Sequence, residues 1–221
     1  MTTRTDRSAE ARLPLSRERV LAAAIRLADE HGVEALTMRR LGQALGVEAM
    51  SLYNHVANKE DILYGIAEMV FSKIELPDGD DWKAELRKSA ISSHDVFRRH
   101  PWAPGVLSPE RISPARMLWM EAVLRTLRKA GCSPELACHA FHAYDSHITG
   151  FTLWLANMPA TGEALRELAA DFLKILDARQ MPYVAEHIEQ HTRPPREGDK
   201  GAFAFGLDLL LDGVDRLRDD V

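Results

Sequence analysis

The segment from Leu36 to Ile62, LTMRRLGQALGVEAMSLYNHVANKEDI, constrains the fold of this chain more than any other segment. The hydroxyl of Thr37 can accept a hydrogen bond from a free backbone N–H, which makes it a suitable cap for a helix over 38–45. Gly46 can end that helix, because a residue without Cβ enters the left-handed conformation at little steric cost. A second helix over about 48–55 follows. The segment therefore predicts a helix-turn-helix.

The apolar residues of this segment are spaced to face one small core. They are Leu41, Leu45, Val47, Leu52 and Val56. Gly42 lies on the inner face of the first helix, where the lack of a side chain lets the second helix cross closely. This arrangement leaves one face of the second helix bare. That face carries small or hydrogen-bonding residues: Ala49, Met50, Ser51, Asn54 and His55.

A bare face of this kind suits the major groove of DNA, which admits a helix whose short side chains reach the base edges. Residues around it have the groups that hold phosphates without reading sequence. They are Thr37, Arg39, Tyr53, His55 and Lys59. The alternative is a plain helical hairpin with a solvated face. The cap, the small residue, the glycine turn and the valine after it favour the DNA-binding interpretation.

The same segment resembles the DNA-binding domain of the tetracycline-repressor (TetR) family. The resemblance lies in Thr37, in Leu45-Gly46-Val47, in Leu52-Tyr53-Asn54-His55 and in the Asn58-Lys59 start of the next helix. It implies that the residues at the matching positions contact DNA. These are Arg39, Ala49, Met50, Ser51, Tyr53, Asn54, His55 and Lys59.

The charge distribution is consistent with one DNA-binding end on an otherwise acidic protein. The whole chain of 221 residues has a net charge of −5, which by itself argues against a nucleic-acid partner. Residues 1–59, however, contain nine Lys or Arg and seven Asp or Glu, a net of +2 that leaves −7 for the remainder. No apolar run approaches the roughly 18 to 20 residues that a membrane helix needs. We therefore expect a cytoplasmic protein that does not associate with a membrane.

Helical periodicity continues to the C-terminus, with no convincing strand, so the predicted fold class is all-α. We expect a flexible arm over 1–15 and a helix-turn-helix domain over 16–57. A connector helix over 58–76 would lead into a larger helical domain over 77–221, for effector binding and dimerisation. The connector can carry a displacement from one domain to the other as a nearly rigid body.

The last predicted helix, FAFGLDLLLDGVDRL, is apolar over more of its circumference than one intrachain contact requires. Phe203, Leu207, Leu210 or Leu211, Val214 and Leu217 form its broad inner face. Phe205, Leu209 and Gly213 extend the apolar surface, and we assign them to a dimer interface. The resemblance implies that this helix and the one opened by Ser133 form a four-helix interface between two subunits. The alternative is an ordinary core helix.

The larger domain is rich in aromatic and methionine side chains, which suit an adaptable apolar pocket with few polar anchors. The candidate pocket residues are Trp102, Met117, Trp119, Met120, His142, Phe151 and Trp154. Each of them could equally be a core residue. The sequence does not identify the small-molecule effector.

A metal-binding or enzymatic role is the main alternative, because His139 and His142 lie three residues apart and His147 follows. His147 belongs to another face of the helix, and the chain contains no HExxH motif, paired CxxC, GxSxG or P-loop. We therefore expect no metal, no cofactor and no enzyme. A second alternative is a DNA-binding protein whose larger domain only oligomerises.

These features together predict a homodimeric DNA-binding regulator. The resemblance favours a repressor that a small-molecule effector releases from a palindromic double-stranded DNA operator.

Overall fold

The computed structural model describes residues 14–106, 113–156, 158, 162–193 and 201–219, and in these ranges the chain forms helices and no strand. This confirms the all-α class. In chain order the helices are α1 (Arg17–His31), α2 (Met38–Leu45), α3 (Ala49–Leu52), α4 (Lys59–Phe71), α5 (Trp82–Arg99), α6 (Ala103–Val106), α7 (Pro114–Lys129), α8 (Pro134–Ala156), α9 (Gly162–Ile175), α10 (Pro182–Thr192) and α11 (Gly201–Asp219). The expected arm lies almost entirely outside the described residues.

Side-chain caps begin four helices, and those at Thr37, Asn58 and Ser133 lie where the sequence predicted helix starts. The oxygen atoms of Ser16, Thr37 and Asn58 accept the backbone N–H of the third residue beyond, at 3.3, 3.2 and 2.8 Å. Ser133 does the same at the start of α8, at 3.1 Å. Each cap satisfies one of the backbone donors that have no partner within the helix.

Two helices end earlier than predicted. After Leu52 the backbone changes to a tighter turn, in which the N–H of Tyr53 bonds to the carbonyl of Met50, so α3 has four residues. The connector helix α4 ends at Phe71 instead of residue 76, because the N–H groups of Lys73 and Ile74 bond to carbonyls only three residues back.

Helices α1, α2 and α3 form one small unit, the head, around the buried side chains Val20, Leu21, Ala24, Leu41, Leu52 and Val56. The connector α4 packs closely against α1. A Cβ added at Gly65 would lie 2.7 Å from Cδ2 of Leu21, so this contact depends on the absence of a side chain. The head and the connector are therefore closely packed together.

Helices α5, α7, α8 and α11 form the centre of a larger unit, the body, which we take as residues 82–219. Its largest fully buried side chains are Leu86, Trp119, Leu127, Tyr144, Ile148, Leu207 and Leu211. Helices α9 and α10 pack chiefly against each other, and they leave Phe172, Ile175 and Tyr183 exposed. Within the described residues, no helix has both the length and the apolar character needed to cross a bilayer.

Candidate nucleic-acid interface

The crossing of α2 and α3 is fixed by two glycines. Gly46 has φ 69° and ψ 31°, the left-handed conformation that the sequence predicted, and its N–H bonds to the carbonyls of Gln43 and Gly42. A Cβ at Gly42 would lie 2.8 Å from the carbonyl oxygen of Val47 and 3.2 Å from the backbone nitrogen of Ala49. Both neighbours are backbone atoms that cannot rotate away. The start of α3 therefore lies directly against α2.

This close crossing leaves the outer side of α3 at the surface. Leu52 is the one α3 residue that is buried, whereas 75% of the Met50 surface is accessible. Ala49 and Ser51 are partly accessible, and Asn54 and Tyr53 in the following turn are exposed. The predicted base-reading residues thus share one accessible surface, as a major-groove helix requires.

An ion pair between α1 and α4 holds the segment that follows α3. The Arg17 guanidinium donates two hydrogen bonds to the Asp61 carboxylate, at 2.8 and 2.7 Å, and a third to the carbonyl of His55 at 3.3 Å. Asp61 also accepts the N–H of Ala57 at 2.9 Å. The hydrogen bonds to Asp61 raise the pKa of Arg17.

Arg17 and Asp61 were not predicted as functional residues, because they lie 44 positions apart and nothing in the sequence pairs them. In the structure they hold the first turns of α1 and α4 together beside the recognition surface. A two-bond pair between a guanidinium and a carboxylate fixes orientation as well as distance. The pair therefore helps to fix the position of residues 55–57, which join α3 to α4.

The predicted phosphate-binding residues surround this surface. Arg39 is exposed in the first turn of α2, and Lys59 is the first residue of α4. Both lie at helix N-termini, where unpaired backbone N–H groups and the helix dipole attract anions. Thr37 is exposed as well, with its hydroxyl accepting the N–H of Arg40, and His55 is half-buried.

Comparison with known proteins identifies the family. A family model for "Bacterial regulatory proteins, tetR family" matches residues 20–65, and a model for "Tetracyclin repressor-like, C-terminal domain" matches residues 76–218. The chain belongs to the TetR family. The first model covers most of the head and the start of α4, where the sequence resemblance was found.

Named TetR family relatives match along nearly the whole chain. The repressor DrrR1 of Streptomyces coeruleorubidus is 31% identical over 92% of this chain and 78% of its own length. The class C tetracycline repressor of Escherichia coli is 30% identical over 92% of each chain. The crystal structure of Streptomyces coelicolor ActR with actinorhodin has a TM-score of 0.73 and 25% identity, covering 93% of this chain and 99% of that one.

The candidate effector residues of this TetR family member do not gather around one described cavity. Trp102 is buried and borders a cleft of about 380 Å³ between head and body. Trp119 is buried, whereas Met120 and Phe151 are partly buried. Met117, His142 and Trp154 are exposed. The assignment of these seven residues to a pocket stays a prediction.

Trp119 lies at the centre of the body core. Its ring stacks against Tyr144 with centroids 5.9 Å apart, and the Arg116 guanidinium lies 4.5 Å from its ring centre. Its indole Nε1 donates a hydrogen bond to Ser89 Oγ at 3.1 Å. Since only 1% of its surface is accessible, its contacts are those of a core residue.

The three histidines considered as metal ligands have separate surroundings. His139 and His142 are exposed on α8, whereas Nε2 of half-buried His147 donates to the carbonyl of Phe203 at 2.9 Å. The His147 ring also stacks on Phe203, with centroids 5.0 Å apart. Among the described residues, no group of three His, Cys, Asp or Glu side chains could hold a metal ion.

The predicted dimer residues lie on the outer side of α11. Phe205 and Leu209 are 64% and 56% accessible, and a Cβ at Gly213 would meet no atom within 4 Å. Leu217, which we expected on the inner face, is exposed. Its spacing of four from Gly213 places it beside the outer residues. Phe203, Leu207, Leu211 and Val214 are buried, as predicted.

Proposed function

We propose that this TetR family member is a homodimeric repressor that binds near-palindromic duplex DNA through α3. The accessible surface formed by Met50, Ser51 and Asn54, held in place by the Gly42 crossing, carries this proposal. Met50 and Asn54 read base edges in the major groove. Arg39, Tyr53 and Lys59 bind the flanking phosphates and set the register.

Two such heads must reach successive major grooves about 34 to 36 Å apart, which requires a symmetric dimer. The outer stripe of α11, comprising Phe205, Leu209, Gly213 and Leu217, forms one half of the interface. The exposed side of α8 forms the other half, because Ala143, Ser146 and Gly150 leave room for close helix approach. In a two-fold dimer these two helices make a four-helix contact with their symmetry mates.

The body binds a small organic effector. The bound actinorhodin of ActR supports this class of ligand. The candidate contacts remain the seven aromatic, methionine and histidine residues predicted from the sequence. The effector releases DNA by favouring a dimer in which the heads have the wrong spacing. Because the linkage is reciprocal, operator DNA weakens effector binding by the same factor. Since its partner is DNA, the protein acts in the cytoplasm.

The DNA-binding proposal is tested by selecting duplexes from a randomised library with the full-length protein and then measuring their affinity at several salt concentrations. Asn54→Ala should change the preferred sequence, at a cost of about 1–3 kcal/mol for the affected base pair. Lys59→Ala should weaken binding to every duplex, and it should reduce the slope of log affinity against log salt by about 1, because one phosphate is no longer neutralised.

Lys129→Ala serves as the matched control, because it removes an exposed cation from the end of α7, in the body. It should leave the salt slope unchanged. An equal effect of the Lys59 and Lys129 substitutions would mean that the head has no special role in binding. Enrichment of no sequence by the wild-type protein would contradict the proposed function itself.

The dimer is tested with Gly213→Phe, measured by sedimentation. In one protomer the site is open, so the new ring should leave helix content unchanged while it separates the subunits. Arg125→Phe places the same ring on the exposed side of α7 and should remain dimeric. A dimeric Gly213→Phe protein would assign the interface to another surface.

A further inference from the structure

A carboxylate of the head accepts two hydrogen bonds from the body. Asp29 lies in the last turn of α1, and its Oδ1 atom accepts the Nδ1–H of His100 at 2.8 Å and the Nε1–H of Trp102 at 2.7 Å. His100 follows the last residue of α5, and Trp102 precedes α6. We call these three residues the clasp. It joins the head to the body through polar bonds.

The hydrogen bonds of a neighbouring lysine favour one tautomer of His100. Lys73, just beyond α4, places its Nζ atom 3.3 Å from Nε2 of His100. A carboxylate can only accept and an ammonium group can only donate, so both contacts are satisfied when His100 carries its proton on Nδ1 alone. The imidazole thereby links the connector end and the end of α5 to Asp29.

The surroundings of the clasp bear on the orientation of the head relative to the body. His100 and Trp102 are buried, so their donors have little access to water. Beside them lies the cleft of about 380 Å³, lined by Ala28, Asp29 and Gly32 of the head and by Trp102 and Leu153 of the body. At this cleft the head and the body do not pack directly on each other, and the clasp is a polar contact that joins them beside it. Short bonds to an ionised acceptor fix both distance and direction.

We propose that Asp29 is a positioning residue that holds the head at one orientation on the body, with His100 and Trp102 as its donors. The inference rests on the DNA binding proposed above and adds the residues that set head orientation. Any displacement of the 100–102 segment by events in the body reaches α1 through this carboxylate. A head released from the clasp samples orientations that cannot engage both half-sites.

The experiment uses the full-length protein, the duplex selected above and three variants. Asp29→Ala removes both acceptor contacts. Asp29→Asn keeps a carbonyl oxygen at Oδ1, the atom that receives both bonds, and removes the charge. Glu30→Ala removes the neighbouring carboxylate of the same last turn, which is exposed and lies 3.8 Å from Nε2 of His31.

Affinity is measured well below the melting temperature, with active protein counted by stoichiometric titration. Asp29→Ala should bind the duplex roughly tenfold more weakly, as expected if the competent orientation is populated about a tenth of the time. Asp29→Asn should recover most of that loss, and Glu30→Ala should bind like the wild type. Amide hydrogen exchange in the last turn of α1 should rise in Asp29→Ala alone.

A purely structural role would lower the melting temperature of Asp29→Ala and leave the affinity of its folded fraction unchanged, which would overturn the proposal. Equal losses for Asp29→Ala and Glu30→Ala would also overturn it. Should Asp29→Ala fail to fold, Trp102→Phe removes one donor and must show the same weakening in smaller measure. If the wild-type protein binds no duplex, the proposed function is wrong. Unchanged amide hydrogen exchange in the last turn of α1 of Asp29→Ala would, separately, show that the clasp does not hold the head.

Discussion

The surface of α3 and the aromatic residues of the body differ in how their positions are determined. The α3 surface depends on a helix cap, a left-handed glycine and a close backbone crossing, all within about twenty residues of sequence. The positions of the body aromatics depend on four helices that are distant in sequence. Local backbone geometry therefore determines the first surface, whereas long-range packing determines the second.

The contrast is clearest between Trp119 and Trp154, which the sequence placed in one pocket. The structure buries Trp119 in the body core and leaves Trp154 half exposed near the end of α8. Helical spacing gave no means of separating a tryptophan of the core from one at the surface. The composition predicted apolar surroundings for the aromatic rings, but it did not predict which rings are buried and which are exposed.

The largest predicted effect is on the free energy of unfolding, and it differs between these two tryptophans. Trp119→Ala should lower the free energy of unfolding by about 3–5 kcal/mol, because it leaves a cavity in the core and removes the partner of Ser89. Trp154→Ala should change it by less than about 1 kcal/mol, since that ring is already half in water. Chemical denaturation measures both. Similar losses would show that the assembled dimer buries Trp154 as fully as Trp119.

The next effect tests the head. Gly42→Ala should destabilise the protein by about 1–3 kcal/mol, because the added Cβ must push Val47 and Ala49 of the turn away. Affinity for the selected duplex should fall further than stability alone explains, since α3 itself is displaced. Ala44→Val, on the exposed side of the same helix, is the control and should cost less than about 1 kcal/mol. Unchanged affinity for Gly42→Ala would mean that the crossing does not set the recognition surface.

The smallest predicted effect is a dependence of stability on pH, which arises in the body and not in the head. Buried His94 donates from Nδ1 to Thr152, whose hydroxyl proton is already given to the carbonyl of Ile148. Burial lowers the pKa of His94 below its usual 6.5, with a smaller contribution from Arg98. As the pH falls, the unfolded chain therefore binds a proton at His94 before the folded chain does. The contribution of His94 to the free energy of unfolding is fully present above pH 6.5, and it is lost as the pH falls from 6.5 through the lowered pKa.

His94→Gln should reduce the slope of unfolding free energy against pH between about 7 and 5. Hydrogen exchange should locate the acid-induced loosening in the body, while the head remains protected by the Arg17 and Asp61 pair. Equal slopes for the wild-type and His94→Gln proteins would show that other histidines account for the acid sensitivity.

The sequence was informative wherever neighbouring residues determine the structure. Thr37 and Asn58 marked helix starts, and Gly46 marked the turn, because capping and positive φ depend on local chemistry. The pairing of Arg17 with Asp61, and of Asp29 with His100, could not be predicted. Each joins residues far apart in the chain, and acidic and basic side chains are too common for sequence alone to pair them.

Leu52 is the one buried residue among the four of α3. The other three project outward from a backbone whose course is already fixed by the preceding helix and turn. On the proposed mode of DNA binding, substitutions there would alter which DNA is recognised at little cost to folding. Single exchanges at these three positions would then give the protein new DNA targets while the rest of the head keeps its structure.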